Sequence, residues 1–181
     1  MPYYRQVGEI PHKRHTQFRK PDGGLHTEEL MGEEGFSFDS ALLYHRFPPT
    51  AIVSIDAVDT EDQRVEPNHP LKPRHFKTHG LKGGGNLVSG RHLLLANDDC
   101  RISYVSASQT SPLTRNAAGD ELVYVEEGSG VLESVFGRLP FTAGDYVVVP
   151  ASTIHRFVLD EEQPVGALVL ETRSHIGPPR R

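Results

Sequence analysis

Cysteine, long apolar runs and excess positive charge are scarce or missing in this sequence, and each absence excludes a class of protein. The 181 residues include one cysteine, Cys100, so an intrachain disulfide and a cysteine-based zinc site are both excluded. No segment approaches the roughly 20 apolar residues of a membrane span, and the N-terminus lacks the apolar core of a signal peptide. The formal net charge of −5 gives no attraction to nucleic acid. We therefore expect a cytoplasmic protein without membrane or nucleic-acid partners.

Two motifs that resemble catalytic or metal sites are weak on inspection. The three glycines at 83–85 are followed by Asn86 instead of the Lys-Ser/Thr of a phosphate-binding loop. His69, His75 and His79 lie in a proline-rich stretch that gives them no fixed geometry, and basic residues are interleaved with them. We interpret this stretch as a solvated or interface loop. A metal site that borrows these histidines is the weaker alternative.

Composition predicts an all-β chain with many turns. Hydrophobic residues make up 36% of the sequence, and there are 17 glycines and 14 prolines, so little helix is expected. Residues 1–50 show no sustained period, and we expect an arm, mostly irregular, that packs its aromatic rings on another surface. Within it, Thr27–Met31 is the best candidate for a short helix, ending at Gly32.

The rest of the chain divides into three further segments. Residues 51–90 contain a first alternating, β-branched strand at Ala51–Val58, followed by a Pro/Gly-rich loop. Residues 91–175 are predicted to form a β-barrel, and residues 176–181 to begin a linker to a missing second half. Turn residues separate eight short predicted strands in the barrel: Arg91–Leu95, Arg101–Ala107, Leu122–Glu126, Gly130–Val135, Arg138–Phe141, Asp145–Pro150, Arg156–Leu159 and Gly166–Thr172.

Two spaced motifs identify the type of barrel. The first, starting at Gly119, reads GDELVYVEEG, and the second, starting 25 residues later at Gly144, reads GDYVVVP. His155 begins the strand that follows. Tight Gly-Asp turns that lead into β-branched strands are typical of a jelly-roll barrel of the cupin type. Glu121 and His155 stand where a cupin keeps two of its four metal ligands.

The rest of the ligand set is missing. A histidine pair is expected just before Glu121, but Thr114, Arg115 and Asn116 occupy that region. An open iron site needs three converging ligands, and a neutral amide is a poor substitute for imidazole. We therefore predict no metal ligand and no catalytic residue in this chain. Glu121, Tyr124 and His155 are predicted to line a vestigial pocket.

Several segments together resemble the N-terminal half of homogentisate 1,2-dioxygenase. The resemblance runs over essentially the whole chain, and the arm makes it specific because cupins in general do not share it. The segments that carry it are YRQVGEIP from Tyr4, RHTQF from Arg14, EELMG from Glu28, YHR from Tyr44 and NAAGD from Asn116.

This resemblance implies a function for the intact protein rather than for this chain alone. Members of the family use Fe(II) and O2 to open the ring of homogentisate to maleylacetoacetate in tyrosine breakdown. Their iron ligands lie in the C-terminal half, and none of these ligands maps onto a residue of this sequence. The chain would then be a structural portion that ends early and binds no cofactor by itself. Its partners would be the C-terminal half or neighbouring subunits of a homo-oligomer.

A second hypothesis belongs to a different class. The chain would be a stand-alone, non-catalytic cupin that binds a small ligand in the mouth of its barrel. The mouth would be lined by Glu121, Tyr124 and His155.

Overall fold

The computed structural model contains two compact units, one within Gly8–Asp62 and the other within Gln63–Arg181. Over their described residues, both consist of β-strands and connecting segments, with one 3₁₀ turn at Thr78–Gly80. Within the part of the chain that the structure describes, no helix has the length and apolar character needed to cross a membrane. The described residues are 18–35, 37–56, 65–81 and 83–177.

The smaller unit contains a β-hairpin. Strand β1 (Thr27–Glu34) pairs antiparallel with β2 (Ser37–His45), and Gly35 has a φ of +61° between them. The predicted helix at Thr27–Met31 is therefore wrong. A helix of five residues is too short to be stable by itself, whereas pairing with β2 gives this backbone regular hydrogen-bond partners.

Side chains on the hairpin also contact one another. His45 and Glu29 lie on the two strands, and Nε2 of the imidazole is 2.8 Å from a carboxylate oxygen. The rings of Phe18 and Tyr44 pack with their centroids 4.6 Å apart. The segment predicted as a mostly irregular arm thus includes regular structure at 27–45, held by cross-strand contacts.

The predicted strand at Ala51–Val58 is not formed over its described residues. Residues 51–56 have no regular secondary structure, and residues 57 and 58 lie outside the described residues. The side chains of Ile52, Val53 and Ile55 are exposed. β-Branched residues favour a strand only where a neighbouring strand pairs with them, and none does here within the described chain.

The larger unit is the predicted jelly-roll barrel, made of two antiparallel sheets. All eight predicted strands are confirmed to within one residue at each end. The five-stranded sheet has, in spatial order, β3 (His92–Ala96), β4 (Cys100–Ala107), β10 (Val165–Thr172), β5 (Glu121–Glu127) and β8 (Tyr146–Val149). The three-stranded sheet has β7 (Gly137–Thr142), β6 (Ser129–Ser134) and β9 (His155–Leu159).

The core lies between the inner faces of the two sheets. Residues alternate along each strand, so the inner faces of β5, β8 and β10 bury the apolar side chains of Val123, Val125, Val147, Val149, Val165, Ala167 and Val169. Phe157 from β9 and Phe141 from β7 meet edge to face, with ring centroids 6.1 Å apart. The fold class predicted from sequence, an all-β jelly roll, is confirmed.

Gly119 at the entrance to β5 is required by a close backbone approach. A Cβ atom at this position would overlap the carbonyl oxygen of Thr172 on the neighbouring strand β10. We expect Gly119→Ala to lower the free energy of unfolding by about 1–3 kcal/mol, because the strand pair must separate to admit the methyl group. Urea denaturation measures this effect.

The matched control is Gly80→Ala, because nothing lies within 4 Å of a Cβ atom built at Gly80. This variant should leave the unfolding midpoint nearly unchanged. Equal effects of the two substitutions would show that the approach of Gly119 to β10 is not a constraint.

Candidate functional site

Glu121 is a buried carboxylate at the first position of β5. Its side chain points into the barrel because Glu121 shares the inward parity of Val123 and Val125. One carboxylate oxygen accepts a hydrogen bond of 2.7 Å from Nη2 of Arg91, and the other accepts one of 2.8 Å from Nδ2 of Asn116. Both oxygens are therefore engaged by protein donors.

Arg91 is the residue that neutralises this carboxylate. It directly precedes β3, and its side chain is only 8% exposed. Nη1 lies 3.3 Å from Oε1 of Glu171, the residue opposite Glu121 on β10, and Nε donates to the carbonyl oxygen of Leu87 at 2.8 Å. One guanidinium thus joins two neighbouring strands and the loop before β3.

The pKa of Glu121 reflects these contacts. Burial acts to raise it, but the charge and hydrogen bond of Arg91, the amide of Asn116 and the nearby imidazole of His155 outweigh burial. The pKa is therefore lowered from its ordinary value of 4.5. Glu121 is a carboxylate at neutral pH, held by a fixed positive charge.

His155 lies at the start of β9 and is almost fully buried, with 1% of its surface exposed. Its Nδ1 donates to the carbonyl oxygen of Thr153 at 2.9 Å. Nε2 has no hydrogen-bond partner. The ring packs edge-on against Phe157, with centroids 5.5 Å apart.

Tyr124 does not join Glu121 and His155. It lies three residues after Glu121 on the same strand, so its side chain points to the opposite face of the sheet. There it packs against Tyr146 with ring centroids 4.7 Å apart. The structure places Glu121 and His155 inside the barrel but leaves Tyr124 outside, so these three side chains do not form a common pocket.

Asp120 anchors the loop between β8 and β9. One carboxylate oxygen accepts from the backbone nitrogen of Ala151 at 2.8 Å, and the other accepts from that of Ile176 at 2.7 Å. The second oxygen is also 3.2 Å from Nδ1 of His175. Asp120 thus serves the fold, and neither it nor Arg91 was identified as a site residue from the sequence.

A cavity of about 220 Å³ lies beside this loop, between the β6–β7 hairpin and the end of β8. Neither Glu121 nor His155 lines it. Ten residues do: Leu132, Ser134, Phe136, Gly137, Arg138, Leu139, Val148, Val149, Pro150 and Thr153.

Comparison with known proteins agrees with the fold described above. Residues 102–171 match the family described as Cupin domain. The sequence of most of the barrel is thus similar to that of a cupin domain. A protein of Saccharolobus solfataricus named "Putative dioxygenase SSO1533" is 36% identical over 159 residues, which cover 86% of this chain. The chain spans 41% of the length of that curated relative.

Solved structures of similar shape include two bacterial proteins. A "putative mannose-6-phosphate isomerase" from Ralstonia eutropha JMP134 has a TM-score of 0.49 and 24% identity, over 56% of this chain and 100% of that one. A cupin-2 domain containing protein from Shewanella frigidimarina NCIMB 400 has a TM-score of 0.41 and 19% identity, over 46% of this chain and 79% of that one.

Cupin barrels often bind a metal ion, but the residues of this barrel do not fit one. No three His, Cys, Asp or Glu side chains among the described residues are grouped so that they could hold a cation. Both oxygens of Glu121 are already engaged, and the guanidinium of Arg91 is itself a cation at bonding distance. A divalent ion at Glu121 would have to displace Arg91 and overcome its repulsion.

The histidines of the proline-rich loop do not supply a metal site either. His79 is largely exposed, and its Nε2 lies 3.7 Å from a carboxylate oxygen of Glu126 on the outer side of β5. An exposed pair at this separation contributes little to stability. The predicted solvated loop agrees with the exposure of His69 and His75.

Removing the guanidinium should destabilise the barrel strongly. We expect Arg91→Met to lower the free energy of unfolding at pH 7 by about 3–5 kcal/mol, because it leaves the buried Glu121 carboxylate without its counter-charge. Adding Glu121→Gln to this variant should recover most of the loss, since the amide carries no charge. Chemical denaturation of the two variants and the wild type measures both effects.

The pH dependence separates charge from packing. In the wild type the lowered pKa of Glu121 contributes stability that is present above its ordinary value of 4.5 and is lost as pH falls through the folded value. Without Arg91, we expect burial to raise the pKa of Glu121. The variant is then destabilised at pH values above that pKa and regains stability when acid protonates the carboxylate. The difference between wild type and Arg91→Met should therefore shrink from pH 7 to about pH 4. An equal difference at both pH values would mean that Arg91 acts through packing alone.

Proposed function

We propose that this barrel is the structural, non-catalytic cupin of a two-barrel dioxygenase of the homogentisate 1,2-dioxygenase kind. The iron and the ring-cleavage chemistry would belong to a second barrel outside this sequence. The observation that carries the proposal is the guanidinium of Arg91, which binds the one buried carboxylate that a metal would use.

The relationship to a longer protein supports the same conclusion. The Saccharolobus solfataricus relative is named "Putative dioxygenase SSO1533", and its similarity extends over 86% of this chain, well beyond the barrel motif. This chain accounts for 41% of that protein, so a further barrel has room in the remainder. The activity of the whole protein, conversion of homogentisate to maleylacetoacetate with Fe(II) and O2, is part of the proposal.

The ion pair is well suited to a structural role. Arg91, directly before β3, is linked to β5 through Glu121 and to β10 through Glu171, so it supplies inside the barrel the positive charge that a bound ion would supply. A guanidinium has a planar set of donors and stays charged at every physiological pH. Such a barrel offers a stable packing surface to a second barrel or to neighbouring subunits, which are the partners we propose.

Residues 1–181 by themselves should bind no stoichiometric iron and should consume no O2 with homogentisate. The physical reason is that Arg91 blocks Glu121 and that no third ligand accompanies His155 in the described chain. Metal analysis after anaerobic reconstitution with Fe(II), followed by O2-electrode measurements, tests both expectations.

The relative from Saccharolobus solfataricus, prepared in the same way, is the control for reconstitution. Iron near one equivalent per chain with ring cleavage by residues 1–181 would refute the structural role. Iron bound without turnover would refute the blocking effect of Arg91.

A further inference from the structure

The outer face of the five-stranded sheet carries apolar and aromatic side chains across its full width. Side chains that point away from the core are paired from strand to strand, so they form two continuous rows. The first row is Leu95, Ile102, Leu170, Leu122 and Val148, and the second is His92, Tyr104, Leu168, Tyr124 and Tyr146. The outward face of an antiparallel sheet is normally polar, whereas neither row contains Asp, Glu, Lys or Arg. This face therefore has the composition of a buried surface.

The two rows are nevertheless accessible in the described chain. Tyr146 is 68% exposed, Leu95 47% and Val148 39%, although all three lie on strands. Tyr104 is the only one of the ten residues that is buried, and the remaining six are partly exposed. A monomeric protein rarely exposes so many contiguous apolar side chains, so the rows mark an interaction surface.

The area of the rows suits the centre of a protein–protein interface. Strands about 4.8 Å apart and a two-residue repeat of about 6.8 Å give a footprint of roughly 24 Å by 14 Å, or about 330 Å². An interface of standard size buries about 800 Å² on each partner, with an apolar centre inside a polar rim. The footprint is large enough for that centre and needs a surrounding rim to complete it. Tyrosine, which occurs three times in the rows, is enriched in such centres.

The charges at the margin of the rows favour a partner that is neither acidic nor a membrane. Glu126 follows Tyr124 on the outer side of β5, and its carboxylate accepts a hydrogen bond of 2.8 Å from the hydroxyl of Tyr104. No Lys or Arg lies in the rows to attract anionic lipid headgroups, and the chain has a net charge of −5. The partner that fits is an uncharged protein face of similar apolar and aromatic composition.

A second copy of this chain provides such a face, and symmetry brings compatible residues together. β10 is the middle strand of the sheet, so a two-fold axis close to its direction lays each row on the same row of the partner. Leu168 and Leu170 then meet their own copies, while Leu95 at one edge faces the partner's Val148 from the other edge. Glu126 on β5 faces β4 of the partner subunit, and β4 carries no acidic residue. Two carboxylates therefore do not meet.

We propose that this chain forms a dimer in which the outer faces of two five-stranded sheets pack together around a two-fold axis close to β10. The two sheets would cross at about 30°, as aligned sheets do. The inference rests on the proposed structural role of the barrel and deepens it, because it names the packing surface and commits the partner to a second copy. Its test uses the oligomeric state alone, so its failure would leave the predictions about iron and O2 unaffected.

Light scattering coupled to size-exclusion chromatography measures the mass of residues 1–181 in solution. We expect about 40 kDa, twice the 20.1 kDa of one chain. Roughly 100 μM protein is sufficient, because interfaces of standard size have dissociation constants in the micromolar range or below. A monomer under these conditions would mean that another partner covers the face, and it overturns the proposal.

Leu170 tests the symmetry of the dimer because it lies beside the proposed axis. Leu170→Glu and Leu170→Lys should each weaken self-association by at least about 100-fold, since like charges then meet in a desolvated interface. An equimolar mixture of the two variants should recover the dimer, because opposite charges then meet at the same position. Folded variants that do not recover when mixed, or that dimerise like the wild type, contradict the proposed geometry.

Tyr146→Lys tests the same face without burying a charge in the monomer, because this side chain is 68% exposed. The variant should keep the circular dichroism spectrum of the wild type and dimerise at least about tenfold more weakly, since a tyrosine in an interface contributes strongly to binding. Leu113→Glu is the matched control, because Leu113 is also 68% exposed but lies between β4 and β5, outside both rows. It should dimerise like the wild type. Wild-type affinity of Tyr146→Lys, or equal weakening by both substitutions, overturns the proposal.

Discussion

The barrel depends on the contact between the Arg91 guanidinium and the Glu121 carboxylate. A carboxylate inside a β-barrel must have a counter-charge, because burial without one costs several kcal/mol. In a metal-binding cupin, a cation coordinated by histidines supplies that charge. Here Arg91 supplies it. Asn116, which lies in the segment where histidines would be expected, donates a hydrogen bond to the second carboxylate oxygen. The carboxylate at this position of the cupin motif is therefore the partner of a fixed charge.

Asn116 and Asp120, the polar residues near Glu121, also hold parts of the fold together. Asp120 fixes the β8–β9 loop and the chain after β10, while Asn116 binds both Glu121 and the backbone of Ser152. The segment that would carry metal ligands in a catalytic barrel therefore holds loops and strands together. This loop also contains the buried hydroxyl of Thr153, which has no hydrogen-bond partner.

The strands of the barrel could be predicted from local sequence patterns, whereas the structure of residues 27–56 depends on pairing between strands. Each strand of the barrel is bounded by turn residues and alternates its faces, so all eight could be read from the sequence. The hairpin at 27–45 and the unformed strand at 51–56 depend on whether a partner strand is present, which a short window does not reveal. Arg91 was missed because it lies 30 positions from Glu121 in the sequence. Its signal was indirect: a buried carboxylate without its histidines requires another cation. Tyr124 could have been excluded from the pocket, because side chains three positions apart on one strand point to opposite faces of the sheet.

Crystals of the protein soaked in Fe(II) under anaerobic conditions, with diffraction data collected at the iron absorption edge, test the role of Arg91 most directly. The expected anomalous map has no peak within roughly 2.0–2.6 Å of the Glu121 carboxylate, the range of metal–oxygen bonds. The contact from Nη2 of Arg91 to that carboxylate should remain near 2.7 Å. An iron peak bonded to Glu121 and His155, with the guanidinium displaced, would contradict a barrel built around a protein cation.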